Sequence, residues 1–80
     1  MGRIKYATKN NIREKIGNNI VELRKSKGMK QSELVAKLNL IGCTVDRYAI
    51  SSLENNHSFD INLIADIKDV LNCSWDDLLR

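Results

Sequence analysis

A short segment near the middle of the chain places four hydrogen-bonding side chains close together. They are Arg47, Tyr48, Ser51 and Ser52. At about 100° per residue, a helix over residues 47–55 gathers them, with Asn55, into an arc of about 140°, and apolar side chains take the opposite side. An arginine on such a face can bind guanine O6 and N7 as a bidentate pair, worth about 1–3 kcal/mol of discrimination between bases. The pattern therefore favours a helix that reads DNA bases.

Each of these residues also has a plainer interpretation. Arg47 could be a surface arginine that contacts a phosphate or Asp46, and Tyr48 could pack at the rim instead of touching a thymine methyl or a phosphate. Ser51 and Ser52 are small, so their contribution could be limited to allowing close approach. Asn55 and Asn56 lie in the polar stretch after this helix, where they would meet phosphates, which position a protein without specifying sequence.

The rest of the chain predicts four more helices around this one. Apolar spacing predicts a helix from about Ile12 to Lys27, ended by Gly28, and a second from Gln31 that Gly42 ends. Asp46 is suited to cap the third helix, Asp60 the fourth, and Ser74 a last short one. The residues expected to face the core are Ile12, Ile16, Ile20, Leu23, Leu34, Val35, Leu38, Ile41, Val45, Ala49, Ile50, Leu53, Ile64, Ile67, Val70, Leu71, Trp75, Leu78 and Leu79. For Trp75, Leu78 and Leu79 a dimer contact is the alternative to core closure.

Length and charge limit the choice of function. Eighty residues without proline support one small all-helical domain over residues 11–80, with residues 1–10 as a flexible basic arm. Residues 1–30 carry nine Lys or Arg against two Glu, giving +7, whereas residues 31–80 carry four against eight acidic residues, giving −4. The basic half is suited to attract a polyanion, although a solvated charged face would look the same.

The sequence offers little for metal or catalytic chemistry. Cys43 and Cys73 are 30 positions apart without a CxxC pair, and His57 is the sole histidine. We therefore expect two reduced thiols near the core, no metal, no cofactor, no small-molecule ligand and no enzymatic activity. The chain has no apolar run of about 20 residues and no signal-peptide pattern, so we expect no membrane contact and a cytoplasmic location.

Several short strings, in this order, resemble the Cro/phage-repressor-like helix-turn-helix family, also called the Xre family. They are I-G-x-x-I-x-x-L-R at Ile16 to Arg24, Gln31 with Leu34, I-S-x-L-E at Ile50 to Glu54, and W-D-D-L-L at Trp75 to Leu79. The resemblance covers roughly residues 13–79. It implies a compact five-helix, lambda-repressor-like bundle that contains a helix-turn-helix.

The family resemblance also implies roles for individual residues. Gln31 would contact a phosphate. Apart from the resemblance, Lys27, Lys30, Asn55 and Asn56 are also expected to contact phosphates. Base contacts would come from Arg47, Tyr48, Ser51 and Ser52. Arg24 and Glu54 would form an ion pair that ties the first helix to the third.

The chain departs from the compact form of the family motif between Gln31 and Glu54. This interval is about five residues longer, and the additional residues fall around Leu40 to Thr44, so the joint before the third helix is lengthened. Val35 also stands where the family prefers Ala, and Lys30 where it often has Ser or Thr. Subfamilies with a lengthened turn are similar to this chain.

The combined prediction is a sequence-specific transcriptional regulator of bacterial or phage type, a repressor that binds a palindromic site in double-stranded DNA as a homodimer. Two alternatives keep the DNA-binding fold: an antitoxin and a restriction-modification controller protein. A third, from another class, is a protein-interaction adaptor that has lost DNA binding.

Overall fold

The computed structural model describes residues 4–80, with side chains from residue 12 onward. Five helices follow one another: α1 (Ile4–Ser26), α2 (Gln31–Leu40), α3 (Arg47–Glu54), α4 (Ile61–Leu71) and α5 (Trp75–Leu79). Residues 4–80 contain no β-strand, so the predicted all-α class is confirmed. Within these residues, no helix combines the length and the apolarity that crossing a bilayer requires.

The first helix begins earlier than the sequence pattern predicted. It starts at Ile4 instead of near Ile12, so residues 4–10 of the expected arm are helical, whereas residues 1–3 lie outside the described part. Apolar periodicity detects a helix only where apolar residues recur at helical spacing, and the sequence of residues 4–11 shows no such pattern. They also lack Gly and Pro, and extending an existing helix needs no new nucleus.

Four of the five helices end in the same way. At or just after each C-cap one residue has a positive φ, and two backbone N–H groups return to carbonyls of the last turn, which is the Schellman motif. The residues with positive φ are Gly28, Gly42, Asn56 and Asn72. After α2, for example, the N–H of Gly42 donates to the Asn39 carbonyl at 3.1 Å and that of Cys43 to the Leu38 carbonyl at 3.0 Å. Each helix therefore stops at a defined residue and turns sharply.

The helix starts follow the predicted capping residues. The Asp46 carboxylate accepts from the N–H of Ala49 at 2.9 Å at the start of α3, and Asp60 accepts from Asn62 and Leu63 at the start of α4. The Ser74 hydroxyl accepts from the Asp77 N–H at 3.1 Å, while the Asp77 carboxylate accepts from the Ser74 N–H at 3.0 Å. These bonds satisfy N–H groups that have no partner inside a helix.

One hydrophobic core receives residues from all five helices. Its buried apolar members are Ile16, Ile20, Leu34, Leu38, Ile50, Leu53, Leu63, Ile64, Ile67, Leu71 and Leu78. All of them except Leu63 were predicted from apolar spacing. Leu23, Val35, Val45, Ala49 and Val70 pack against this core while partly exposed.

Four residues predicted for the core are exposed instead: Ile12, Ile41, Trp75 and Leu79. Ile41 is the C-cap of α2, where the chain is already turning away from the core. Trp75 and Leu79 are the ends of a five-residue helix that directs one face, at Leu78, into the core. The Trp75 ring instead lies beside Lys68, whose Nζ is 5.7 Å from the ring centroid.

A close contact between α1 and the end of α3 depends on Gly17. A Cβ atom at this position would lie 3.0 Å from the carbonyl oxygen of Leu53, 3.2 Å from that of Glu54 and 2.7 Å from Oδ1 of Asn56. Glycine costs about 1 kcal/mol inside a helix relative to alanine. The close contact explains why glycine occupies this position despite that cost, because a side chain here would push α1 away from α3.

Candidate nucleic-acid interface

The outward face of α3 carries the four residues predicted to contact bases. Arg47 and Tyr48 are exposed, Tyr48 at 80%, whereas Ser51 and Ser52 are half-buried. The inward face carries Ile50 and Leu53, which are buried in the core. One side of α3 is therefore packed in the core, and the other side is accessible to solvent.

Arg47 and Tyr48 are not held by other side chains. Among residues 12–80, no carboxylate lies within salt-bridge distance of the Arg47 guanidinium, and the Tyr48 hydroxyl makes no hydrogen bond. The neighbouring Asp46 carboxylate is occupied by its bond to the Ala49 N–H. Both exposed side chains thus keep their donors for a ligand.

The joint between α2 and α3 runs through residues 41–46, longer than the 3–4 residues of a compact helix-turn-helix. Gly42, with φ +90°, sets the direction of the chain. The Asn39 side chain then spans the joint, since its Oδ1 accepts from the Val45 N–H at 3.2 Å. The additional residues form a braced turn that leads directly to the cap of α3.

A buried polar cluster links α3 to the two helices before it. Arg24 donates from Nε to Glu54 Oε2 at 2.8 Å, from Nη2 to Oε1 at 3.1 Å, and from Nη1 to the Met29 carbonyl at 2.8 Å. Gln31 donates from Nε2 to the same Oε1 at 2.8 Å. Arg24 and Glu54 are both buried. The ion pair expected between them is present, and it fixes the C-terminal end of α3 relative to α1 and α2.

Gln31 has an internal role that the sequence did not predict. It is the first residue of α2, where a phosphate contact was expected, but one of its amide protons is donated to Glu54. The second amide proton is left for an external acceptor. Any phosphate that Gln31 binds would therefore be coupled, through Glu54, to the position of α3.

Asn55 and Asn56 also form contacts within the protein. Asn55 is the C-cap of α3, and its Nδ2 donates back to the Ser51 carbonyl at 2.9 Å and to the Ser51 hydroxyl at 3.3 Å. Asn56 has φ 65° in the Schellman turn, with its Oδ1 directed toward Gly17. A phosphate contact of Asn55 would have to replace or share its bonds to Ser51, whereas in the described residues the Nδ2 of Asn56 makes no hydrogen bond that such a contact would displace.

The two lysines expected to contact phosphates lie in different surroundings. Lys30 is exposed at the N-cap of α2, beside Gln31, and its backbone N–H donates to Glu33 Oε1 at 2.8 Å. Lys27 is also exposed, but it lies near enough to Cys73 to affect that thiol. Lys30 is the better placed of the two for a phosphate near Gln31.

The cysteines have the surroundings of structural thiols. Burial raises the pKa of Cys43, and the nearby carboxylate of Asp66 raises it further. Burial likewise raises the pKa of Cys73, an effect that Asp77 reinforces and Lys68 and Lys27 partly offset. In the described part of the chain, no three His, Cys, Asp or Glu side chains are grouped so that they could hold a metal ion.

Comparison of the chain with protein-family models, curated proteins and solved structures gives no match. The features of this protein that bear on its function are therefore its fold, the outward face of α3 and the cluster around Glu54.

Proposed function

We propose that this protein is a sequence-specific DNA-binding transcriptional regulator, a repressor of bacterial or phage type that acts in the cytoplasm. In this proposal α2 and α3 form a helix-turn-helix with a lengthened joint, and α3 enters the major groove. The observation that carries the proposal is the outward face of α3, where Arg47 and Tyr48 are free while the opposite face is buried.

The cluster around Glu54 supports this proposal through geometry. Base recognition requires that a side chain be held at hydrogen-bond distance from a base edge, so the helix must not tilt. Glu54 accepts three hydrogen bonds, two from Arg24 in α1 and one from Gln31 in α2. The last turn of α3 is thereby connected to both preceding helices, and the first turn of α3 is capped by Asp46.

Charge also supports the proposal. The excess of Lys and Arg in residues 1–30 includes Lys30, which is exposed next to the first turn of α2. Cations at this position would neutralise DNA phosphates and release condensed counterions, so binding would weaken steeply as salt rises.

We further propose a homodimer formed through the C-terminal region, with two copies of α3 about 34 Å apart on a palindromic site. Trp75 and Leu79 support this arrangement, because both are apolar and exposed at the ends of α5. Sedimentation of the wild type and of Leu79→Glu tests it. A dimer that the charge dissociates is the expected result, and a monomeric wild type would contradict this part of the proposal.

Fluorescence anisotropy with a labelled random duplex at low salt is the first test of DNA binding. We expect binding that falls linearly on a log–log plot against salt, followed by enrichment of a palindromic site from a random pool. Lack of binding at low salt would contradict the proposal and favour the protein-interaction adaptor. If DNA binding is found, the neighbouring genes decide between a regulator, an antitoxin and a restriction-modification controller.

Variants then assign roles to individual side chains. Arg47→Ala is expected to relax preference at one base pair by roughly 1–3 kcal/mol while leaving affinity for random DNA nearly unchanged. Lys30→Ala should instead reduce the salt slope by about one phosphate contact without changing sequence preference. A uniform loss across all sequences in Arg47→Ala would exclude a base-reading role.

A further inference from the structure

Asn39 binds the joint between α2 and α3 at both of its ends. Its backbone carbonyl accepts from the N–H of Gly42 at 3.1 Å, where the chain leaves α2, and its Oδ1 accepts from the N–H of Val45 at 3.2 Å, just before α3. Asn39 lies in the last turn of α2 and is exposed. A single residue of α2 therefore holds both the start and the end of the lengthened joint.

Within residues 12–80, the bond to Val45 is the one hydrogen bond that connects residues 44–50 to another helix. The Asp46 cap stabilises the first turn of α3, but it lies inside that turn and does not fix the direction of the helix. The last turn of α3, by contrast, is connected to α1 and α2 through Glu54.

The first turn of α3 also carries the proposed base contacts of Arg47 and Tyr48. At about 1.5 Å per residue, α3 rises about 10 Å between Arg47 and Glu54, so a tilt of about 10° at its last turn would move Arg47 by about 2 Å. Donor–acceptor distances of hydrogen bonds vary by only about 0.5 Å. Apolar burial of Ile50 holds the middle of the helix, but it is not directional. A hydrogen bond at this end of α3 is therefore suited to set its angle.

We propose that Asn39 is a positioning residue for base recognition. Its bond to Val45 holds the first turn of α3 at the angle at which Arg47 reaches a base edge. Asn39 acts through Arg47 and makes no contact with DNA itself. This inference rests on the proposed DNA-binding function, and it adds a residue of α2 to those that determine sequence preference.

Two substitutions at the same position separate this role from a direct contact. Asn39→Asp keeps an Oδ1 acceptor for the Val45 N–H and removes the Nδ2 donors, whereas Asn39→Ala removes both. Anisotropy gives the dissociation constants for random DNA and for a duplex selected by the wild type. Their ratio measures discrimination, and any uniform repulsion by the added carboxylate cancels in it.

We expect Asn39→Ala to lower this ratio about fivefold and Asn39→Asp to remain within twofold of the wild type. The limit is set by the bond, which can bias the angle of α3 by no more than its own net free energy. Urea unfolding establishes that both variants are folded. Hydrogen exchange of the Val45 amide, followed by NMR without DNA, should be faster in Asn39→Ala and unchanged in Asn39→Asp.

A double-mutant cycle tests whether Asn39 acts through Arg47. In the Arg47→Ala background the positioned contact is already absent, so adding Asn39→Ala should change the ratio by less than twofold. A role in stability alone would not produce this dependence on Arg47.

Three results would overturn the inference while leaving the DNA-binding function intact. The first is a wild-type ratio in Asn39→Ala. The second is an equal loss in Asn39→Asp and Asn39→Ala, which would assign a direct DNA contact to Nδ2. The third is full additivity with Arg47→Ala. A random pool that yields no enriched site would overturn the proposed function and this inference together.

Discussion

Replacing Arg24 by methionine should be among the most destabilising single changes in this protein. The substitution leaves the buried Glu54 carboxylate with Gln31 as its remaining partner, and the Met29 carbonyl loses its donor. Removing one member of a buried ion pair costs about 3–5 kcal/mol. A domain of this size has a total stability of roughly 4–12 kcal/mol. We therefore expect Arg24→Met to lose a large share of its free energy of unfolding, and all of it if the wild type lies near the lower end of that range.

The same substitution at the protein surface provides the control. Arg80 forms an ion pair with Asp77 at 2.7 Å, nearly the same length as the 2.8 Å pair of Arg24 and Glu54. The Arg80 side chain is exposed, so Arg80→Met should cost below about 1 kcal/mol. Urea unfolding followed by circular dichroism measures both free energies.

A double variant separates the cost of an unpaired charge from the value of the pair itself. Arg24→Met combined with Glu54→Met removes both charges and replaces them with apolar volume, which is often neutral or stabilising. We expect recovery of most of the lost stability, with about 1 kcal/mol remaining for each of Gln31 and Met29, which lose their hydrogen-bond partners. If Arg24→Met costs no more than Arg80→Met, or if the double variant is as unstable as the two single losses combined, the reasoning is wrong.

Three further predictions concern the glycine contact, a helix end and the thiols. Gly17→Ala should lower the free energy of unfolding by about 1 kcal/mol, because overpacking against α3 exceeds the gain in helix propensity. Asn18→Ala, at an exposed position of the same helix, should raise the free energy of unfolding in the same urea titration. Equal gains in the two variants would contradict the close contact at Gly17. Asn72 has a positive φ at the end of α4, a conformation that alanine disfavours and glycine adopts freely. Asn72→Ala should therefore lower the free energy of unfolding by about 1 kcal/mol, and Asn72→Gly should not. Equal unfolding midpoints for the two variants would refute this explanation. Cys43 should react with iodoacetamide more slowly at pH 7.5 than in the unfolded chain, and faster as pH rises, because its raised pKa keeps it protonated. Asp66→Asn should accelerate Cys43 and leave Cys73 unchanged, as measured by mass spectrometry; an unchanged Cys43 rate would exclude the Asp66 effect.

The sequence by itself determined the number, the type and most boundaries of the helices. Caps at Asp46, Asp60 and Ser74 are local signals, since each side chain bonds to N–H groups two or three residues ahead. The same holds for the turns at Gly28 and Gly42. The division of α3 into a polar and an apolar face follows from helical geometry alone. The ion pair between Arg24 and Glu54 was expected from the family resemblance and not from spacing.

Contacts between residues distant in the chain were decided only by the tertiary structure. The reason for a glycine at position 17 lies in the carbonyl groups of Leu53 and Glu54, more than 30 positions away along the chain. The bond from Gln31 to Glu54, the direction of Asn56 and the exposure of Ile41, Trp75 and Leu79 likewise depend on how the helices pack. Periodicity reports which face of a helix is apolar, whereas burial depends on which neighbour covers that face.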